Sequence, residues 1–211
     1  MASQNLSHIE QLHSNDVDLE ALEIYLGNED GIDHLMATTF VKNLRLVSQK
    51  AKSEKRPVLI HMNSNGGDWH QGMAIYHSIK SCPVPTIILS YTEASSMSSI
   101  ILQAADKRVL MPHSVVMLHW GQDMIAGERK TVESTWEFYT KKYDDKQIML
   151  DIYTDRILMA QPKKKRGIIK RSLEREINKH ADKYYTAEEA VETGLADCIF
   201  DYNWTGLKKI S

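Results

Sequence analysis

The chain has 211 residues, 42% hydrophobic and 26% charged, with 26 basic against 28 acidic side chains and a net charge of −2. That length suits one domain with a sizeable core, and the chain contains no run of about 20 apolar residues of the kind a membrane helix requires. The balanced charge argues against a chain-wide nucleic-acid or membrane surface, and the aliphatic content argues against global disorder.

Residues 1–20 are polar and unpatterned and read as a flexible arm, with a single domain over 21–211. The start, MASQNLSHIEQLHSNDVDLE, lacks the basic and apolar regions of a signal peptide, so a cytoplasmic location is expected. Leu22–Gly27 reads as a short strand. Leu35, Phe40, Val41, Leu44 and Val47 then recur at helical spacing over 34–50. Val58–Asn63 is a β-prone run, followed by a glycine-bearing turn and the helix-like GMAIYHSIK. Pro85–Ser90 is a second buried strand, and Ser96–Asp106 reads as an apolar helix. Two further strands, Arg108–Met111 and Ser114–His119, flank a proline turn. This alternation predicts an α/β fold in which parallel strands are joined by right-handed crossovers. Cys82 and Cys198 form no metal motif and no disulfide framework, and both are expected as free thiols of a reducing compartment.

Val132, Trp136, Tyr139, Tyr143, Leu150, Tyr153 and Ile157 mark one face of a long helix over 131–159. At 1.5 Å per residue it spans about 40 Å, more than a small α/β core, so part of it is expected to project towards a partner subunit. Pro162–Arg171 carries six basic residues in ten. A solvated turn and helix start is the first reading of that run; acidic-partner or nucleic-acid contact comes second, because no aromatic residues interleave it. Thr186, Glu189 and Gly194 form a capping box and a glycine stop around a short helix.

Four places hold chemistry-bearing residues. Gly66 and Gly67 follow a strand, where uncovered backbone N–H groups can receive an oxyanion; a plain turn is the alternative. Ser95, Ser96, Ser98 and Ser99 crowd the start of the apolar helix, where at least one is expected to cap and one could act as a nucleophile. His119 ends a strand and can serve as a general base at a crevice, and Asp182 can orient an imidazole or stand as a surface acid.

Taken in order, VLIHMNSNGGDWHQGMAIYHSIK, TEASSMSSIILQAADKRVLMPHSVVMLH and ADKYYTAEEAVETGLAD resemble the family of the proteolytic subunit of the Clp protease, ClpP, over about residues 22–199. The resemblance implies an α/β fold with a crotonase-like core of repeated ββα units and a long projecting "handle" helix. The handle and a basic insertion would occupy about 127–180. It implies a serine endopeptidase without a cofactor, in which Ser96 is the nucleophile, His119 the base and Asp182 the orienting acid. Gly67 and Met97 would supply the oxyanion-hole N–H groups. It implies stacked homo-oligomeric rings enclosing polypeptide substrates, with a Clp-type ATPase unfoldase as partner. The chain has no P-loop of its own, and neither a membrane nor nucleic acid is expected as a partner.

The chain departs from the family pattern at several positions. Asn65 stands in place of a proline, Asp68 follows the two glycines, Ser98 replaces a glycine, and Trp120-Gly121 replace Gln-Pro. The His119–Asp182 interval is long, which leaves Asp197 and Asp201 as weaker candidates for the acid. These departures keep a non-catalytic ring subunit, or a phage-type or otherwise specialised peptidase, as alternative readings. An acyl-CoA-processing relative on the same fold ranks below both.

Overall fold

The computed structural model describes residues 8–27, 31–121 and 132–208. The elements that carry the site are β3 (Val58–Ser64), β4 (Thr86–Ser95), α4 (Met97–Leu102), β6 (Val115–His119), α5 (Val132–Ala160) and β7 (Asp182–Thr186). Around them lie α1 (His8–Asn15), β1 (Val17–Asp18), β2 (Glu23–Leu26), α2 (His34–Glu54), α3 (Trp69–Lys80) and β5 (Lys107–Leu110). The C-terminal part adds α6 (Arg166–Lys179), α7 (Ala187–Thr193), β8 (Cys198–Ile199) and α8 (Trp204–Leu207).

The eight described strands form one sheet in the order β1-β2-β3-β4-β5-β8, with β6 branching from β4 and β7 pairing with β6. The expected mixed α/β architecture is observed, and β2, β3, β4 and β5 pair in parallel. β4 is the axis of the fold. Its first half, Ile87–Ser90, pairs with Lys107–Leu110 of β5, and its second half, Glu93–Ser95, pairs with Val115–Met117 of β6. Successive side chains of a strand point to opposite faces. Ile88 therefore enters the main core beside Ile60, while Ile87 and Leu89 enter a second cluster with Leu59, Val109 and Phe200. Burial on both faces is the reason these strands read as continuous apolar runs in the sequence.

The lengths of two elements differ from expectation. β4 runs to Ser95 rather than stopping at Ser90, and the helix after it has six residues rather than eleven. Beyond Leu102 the chain tightens into turns in which Gln103, Ala104 and Ala105 donate to the carbonyls three residues back, and carbonyls of this stretch are taken by a side chain of α5. Arg156 of α5 donates Nε–H to the Gln103 carbonyl at 2.7 Å and its terminal nitrogen to the Ala105 carbonyl. The segment expected as an arm contributes α1 and the two residues of β1, which pair antiparallel with β2 and bury Val17.

α5 has 29 residues and is split in its packing. Met149, Leu150, Tyr153 and Ile157 are buried in the main core. Before Met149 none of its described side chains is buried, and Tyr143 is 62% exposed. The side chains of Val132, Trp136 and Tyr139, and residues 127–131 of the expected insertion, lie outside the described residues. The basic run forms a turn and the start of α6, as first read. Arg166 pairs with Asp151 and Asp155 of α5, and Lys170 with Asp151, at 2.7–2.9 Å. The capping box at Thr186 and Glu189 closes as expected, and Gly194 ends α7 at φ 94°. Cys82 and Cys198 are free and half-buried. Among the described residues no helix is long and apolar enough to cross a membrane.

Arg108, buried on β5, is satisfied from three directions. Its guanidinium donates to both Asp197 oxygens, to Gln103 Oε1 at 2.7 Å and to the Gly194 carbonyl at 2.8 Å. Replacing Asp197 by Asn leaves that buried cation without a counter-charge, and the expected loss is about 2 kcal/mol, less than for a fully buried pair because Asp197 is partly exposed. Urea midpoints at matched protein concentration test this; an unchanged midpoint would mean the pair contributes nothing. A second pair gives a pH signature. Burial raises the Glu23 carboxyl, but the hydrogen bond from His61 and the contact with Lys208 more than reverse this, bringing it from 4.5 to about 2. A depressed acid stabilises fully above its unfolded pKa and loses that contribution as pH falls through the folded value. The thermal stability difference between wild type and Glu23→Gln is therefore expected to be flat above about pH 5 and to shrink towards pH 2. A difference that stays constant down to pH 2 would contradict the pairing.

Candidate active site

Three chain segments meet at the carboxyl ends of β3, β4 and β6. The first leaves β3 through Asn65, Gly66 and Gly67. Gly66 and Gly67 sit at φ 109° and 146°, where side chains are strained. Space forbids a side chain as firmly as the dihedrals do. A Cβ on Gly66 would lie 2.6 Å from Ser96 Cβ, and one on Gly67 would lie 2.3 Å from Ile32 N. Ile32 donates to the Gly66 carbonyl at 2.8 Å and accepts from Asp68 N–H at 2.9 Å. In this parallel bridge Ile32 uses the groups on either side of Gly67, so the Gly67 N–H turns to the opposite side. The Asp68 carboxylate accepts from Gln71 N–H at 2.9 Å and caps α3.

The second segment is the junction of β4 and α4. Ser96 has φ 54° and ψ −126°, a conformation that costs a non-glycine residue about 1–3 kcal/mol. Its N–H donates to the Met117 carbonyl of β6 at 2.9 Å. The expectation that one of the four serines caps the helix is not met. Ser95 Oγ donates to Glu93 at 2.6 Å, Ser98 Oγ to Ser64 Oγ at 2.8 Å, and Ser99 Oγ to the Ser96 carbonyl at 2.5 Å. Ser96 occupies the cap position without a side-chain cap bond, and its Oγ lies 2.7 Å from His119 Nε2 instead. The conformation that aims Oγ at the histidine turns it away from the helix N–H groups.

The third segment is the β6–β7 ribbon, in which His119 and Asp182 are directly opposed. Asp182 Oδ1 lies 3.2 Å from His119 Nδ1, and Asp182 is the more exposed of the two. With its proton on Nδ1, the nitrogen beside Asp182, the neutral imidazole leaves Nε2 free to accept from the Ser96 hydroxyl. The antiparallel register explains how two residues 63 positions apart in the chain come into contact. Asp197 binds Arg108 and Asp201 accepts from Asn203 N–H, so neither weaker candidate is the histidine's partner.

These groups open onto a cleft of about 380 Å³. Met97, Ile100 and Met149 give it an apolar lining, Trp69 and Trp120 add indole surface, and Lys142, Asp145 and Lys146 of α5 add charge. The Trp120 indole N–H donates to Asn178 Oδ1 of α6 at 2.8 Å, and Lys146 Nζ sits 5.0 Å from the ring centroid. The contact ties α6 to the residue beside the histidine, a link across 58 positions that carries no sequence signal. The buried Ser98–Ser64–Gly66 bonds were also invisible in the sequence, where Ser98 reads only as a cap candidate. The loop after Gly121 lies outside the described residues. Among the described residues no group of three or more His, Cys, Asp or Glu side chains converges as metal ligands would.

Comparison with known proteins agrees with the resemblance. The sequence profile of the Clp protease family matches residues 11–203. The chain is 27% identical over 172 residues to the ATP-dependent Clp protease proteolytic subunit of Deinococcus radiodurans, an alignment covering 81% of this chain and 76% of that protein. With the profile spanning nearly its whole length, the chain belongs to the Clp protease family.

Proposed function

We propose that this chain is a serine endopeptidase of ClpP type that cleaves unfolded polypeptides inside a ring chamber. The observation that carries the reading is the line-up at the foot of the cleft of Ser96 Oγ, hydrogen-bonded to His119 Nε2, with the Asp182 carboxylate 3.2 Å from His119 Nδ1. His119 takes the Ser96 proton as Oγ attacks the peptide carbonyl, and Asp182 holds the imidazole and offsets its positive charge. The Gly67 and Met97 N–H groups receive the tetrahedral oxyanion. His119 then protonates the leaving amine, and water repeats the cycle on the acyl-enzyme. The apolar lining from Met97, Ile100 and Met149 suits side chains that an unfolded substrate exposes.

The half of α5 before Met149 leaves the core without burying a described side chain, which suits a helix that packs against another subunit. Stacked rings would enclose the cleft, and a Clp-type ATPase would deliver substrate to it. A cytoplasmic location accords with the two free thiols.

A fluorophosphonate probe is expected to label wild-type protein at Ser96 and to leave Ser96→Ala unlabelled. Peptide turnover in Ser96→Ala and in His119→Ala is expected to fall by about 10⁴-fold or more while the oligomer persists. Labelling that survives Ser96→Ala, or is absent from the assembled wild type, would overturn the reading. Activity should also fall on acidification, because an imidazolium cannot accept the serine proton. For the oxyanion site, Gly67→Ala in folded protein is expected to lower kcat by about 100-fold with a smaller change in KM. A kcat within twofold of wild type would remove Gly67 from that role.

A further inference from the structure

We infer that Ser99 and Tyr153 are positioning residues that aim the Met97 N–H at the oxyanion, an inference that rests on the serine-peptidase reading above. The Ser96 carbonyl and the Met97 N–H belong to one planar peptide unit and point in opposite directions. Whatever fixes the Ser96 carbonyl therefore fixes the direction of the Met97 N–H.

Two donors hold that carbonyl, and both come from Ser99. Its backbone N–H lies 3.0 Å away and its Oγ 2.5 Å away. The order of the remaining bonds follows from proton accounting. A serine hydroxyl has one proton, and Ser99 gives it to the Ser96 carbonyl. Toward the Tyr153 hydroxyl, 2.6 Å away, Ser99 Oγ can only accept. The series is thus Tyr153 O–H to Ser99 Oγ–H to Ser96 carbonyl, in one direction.

Both members are buried, Ser99 at 0% and Tyr153 at 1% exposure, so water does not compete for either bond. Burial pushes the Tyr153 phenol well above its ordinary range, which keeps its proton in place. The ring alone would satisfy the packing of α5 on the core, a task Phe performs equally well. The hydroxyl adds the bond to Ser99. The strained backbone of Ser96 is thereby restrained on both sides, by Met117 at its N–H and by this relay at its carbonyl.

The test compares Ser99→Ala, Tyr153→Phe and the double variant with wild type, each normalised to the concentration of sites titrated by fluorophosphonate. Loss of aim should lower kcat while leaving ground-state binding in place: about thirtyfold for Ser99→Ala and about fivefold for Tyr153→Phe, with KM within about twofold. Because Tyr153 acts through Ser99, the double variant should match Ser99→Ala alone. Tyr153→Phe keeps the packing, so it carries the test even if Ser99→Ala fails to assemble. A kcat per titrated site equal to wild type in Tyr153→Phe, with only thermal stability changed, would overturn the relay. So would a double variant whose loss equals the product of the single losses. Wild-type protein that the probe does not label would instead defeat the underlying reading, and the relay with it.

Discussion

The site depends on the left-handed backbone of Ser96 at the end of β4. An ordinary strand-to-helix turn would let the serine cap the helix and would aim its hydroxyl at backbone N–H groups. At φ 54° and ψ −126° the hydroxyl faces His119 instead. The conformation is unfavourable in isolation and persists because the surroundings over-determine it. β3 lies on one side, where Gly66 approaches Ser96 so closely that no side chain fits between them. β6 lies on the other and takes the Ser96 N–H.

Those contacts follow from the way β4 divides its pairing. Its first half holds β5 and its second half holds β6, so one ten-residue strand brings the serine and the strand of the histidine into register. β7 then sets Asp182 opposite His119 by simple antiparallel pairing. Three functional groups from distant parts of the chain are thus placed by three strand registers, not by loops. The continuous apolar run that buries both faces of β4 is therefore also what brings Ser96 to His119. α5 contributes as well, with Tyr153 reaching the serine turn and Arg156 binding carbonyls just beyond α4.

Much of this was legible in the sequence, and for a physical reason. The strands β3 and β4 are buried on both faces and so read as apolar runs; the two glycines mark a turn that no side chain could enter; the capping box at Thr186 is a local signal. Ser96, His119 and Asp182 could be matched to the family pattern, although no spacing argument on the residues themselves would have paired His119 with Asp182. What could not be read depends on tertiary contact. The apolar stretch Ser96–Asp106 looked helical throughout, but Arg156, fifty residues on, takes the carbonyls at its end. The four serines looked like capping candidates, yet each bonds elsewhere: Ser95 locally to Glu93, and Ser98, Ser99 and Ser96 to Ser64, Tyr153 and His119, which reach them only through the sheet or from α5. The Trp120–Asn178 contact is of the same kind.

The central claim is that one backbone conformation unites the nucleophile with its base and its oxyanion donors. The most direct measurement is a crystal structure of the chain after reaction with a peptidyl phosphonate. The account predicts phosphorus bonded to Ser96 Oγ, with a phosphonyl oxygen about 3 Å from the N–H groups of Gly67 and Met97 and Ser96 still at positive φ. An adduct whose oxygen points away from both N–H groups, or a Ser96 relaxed to negative φ with its hydroxyl capping α4, would contradict it.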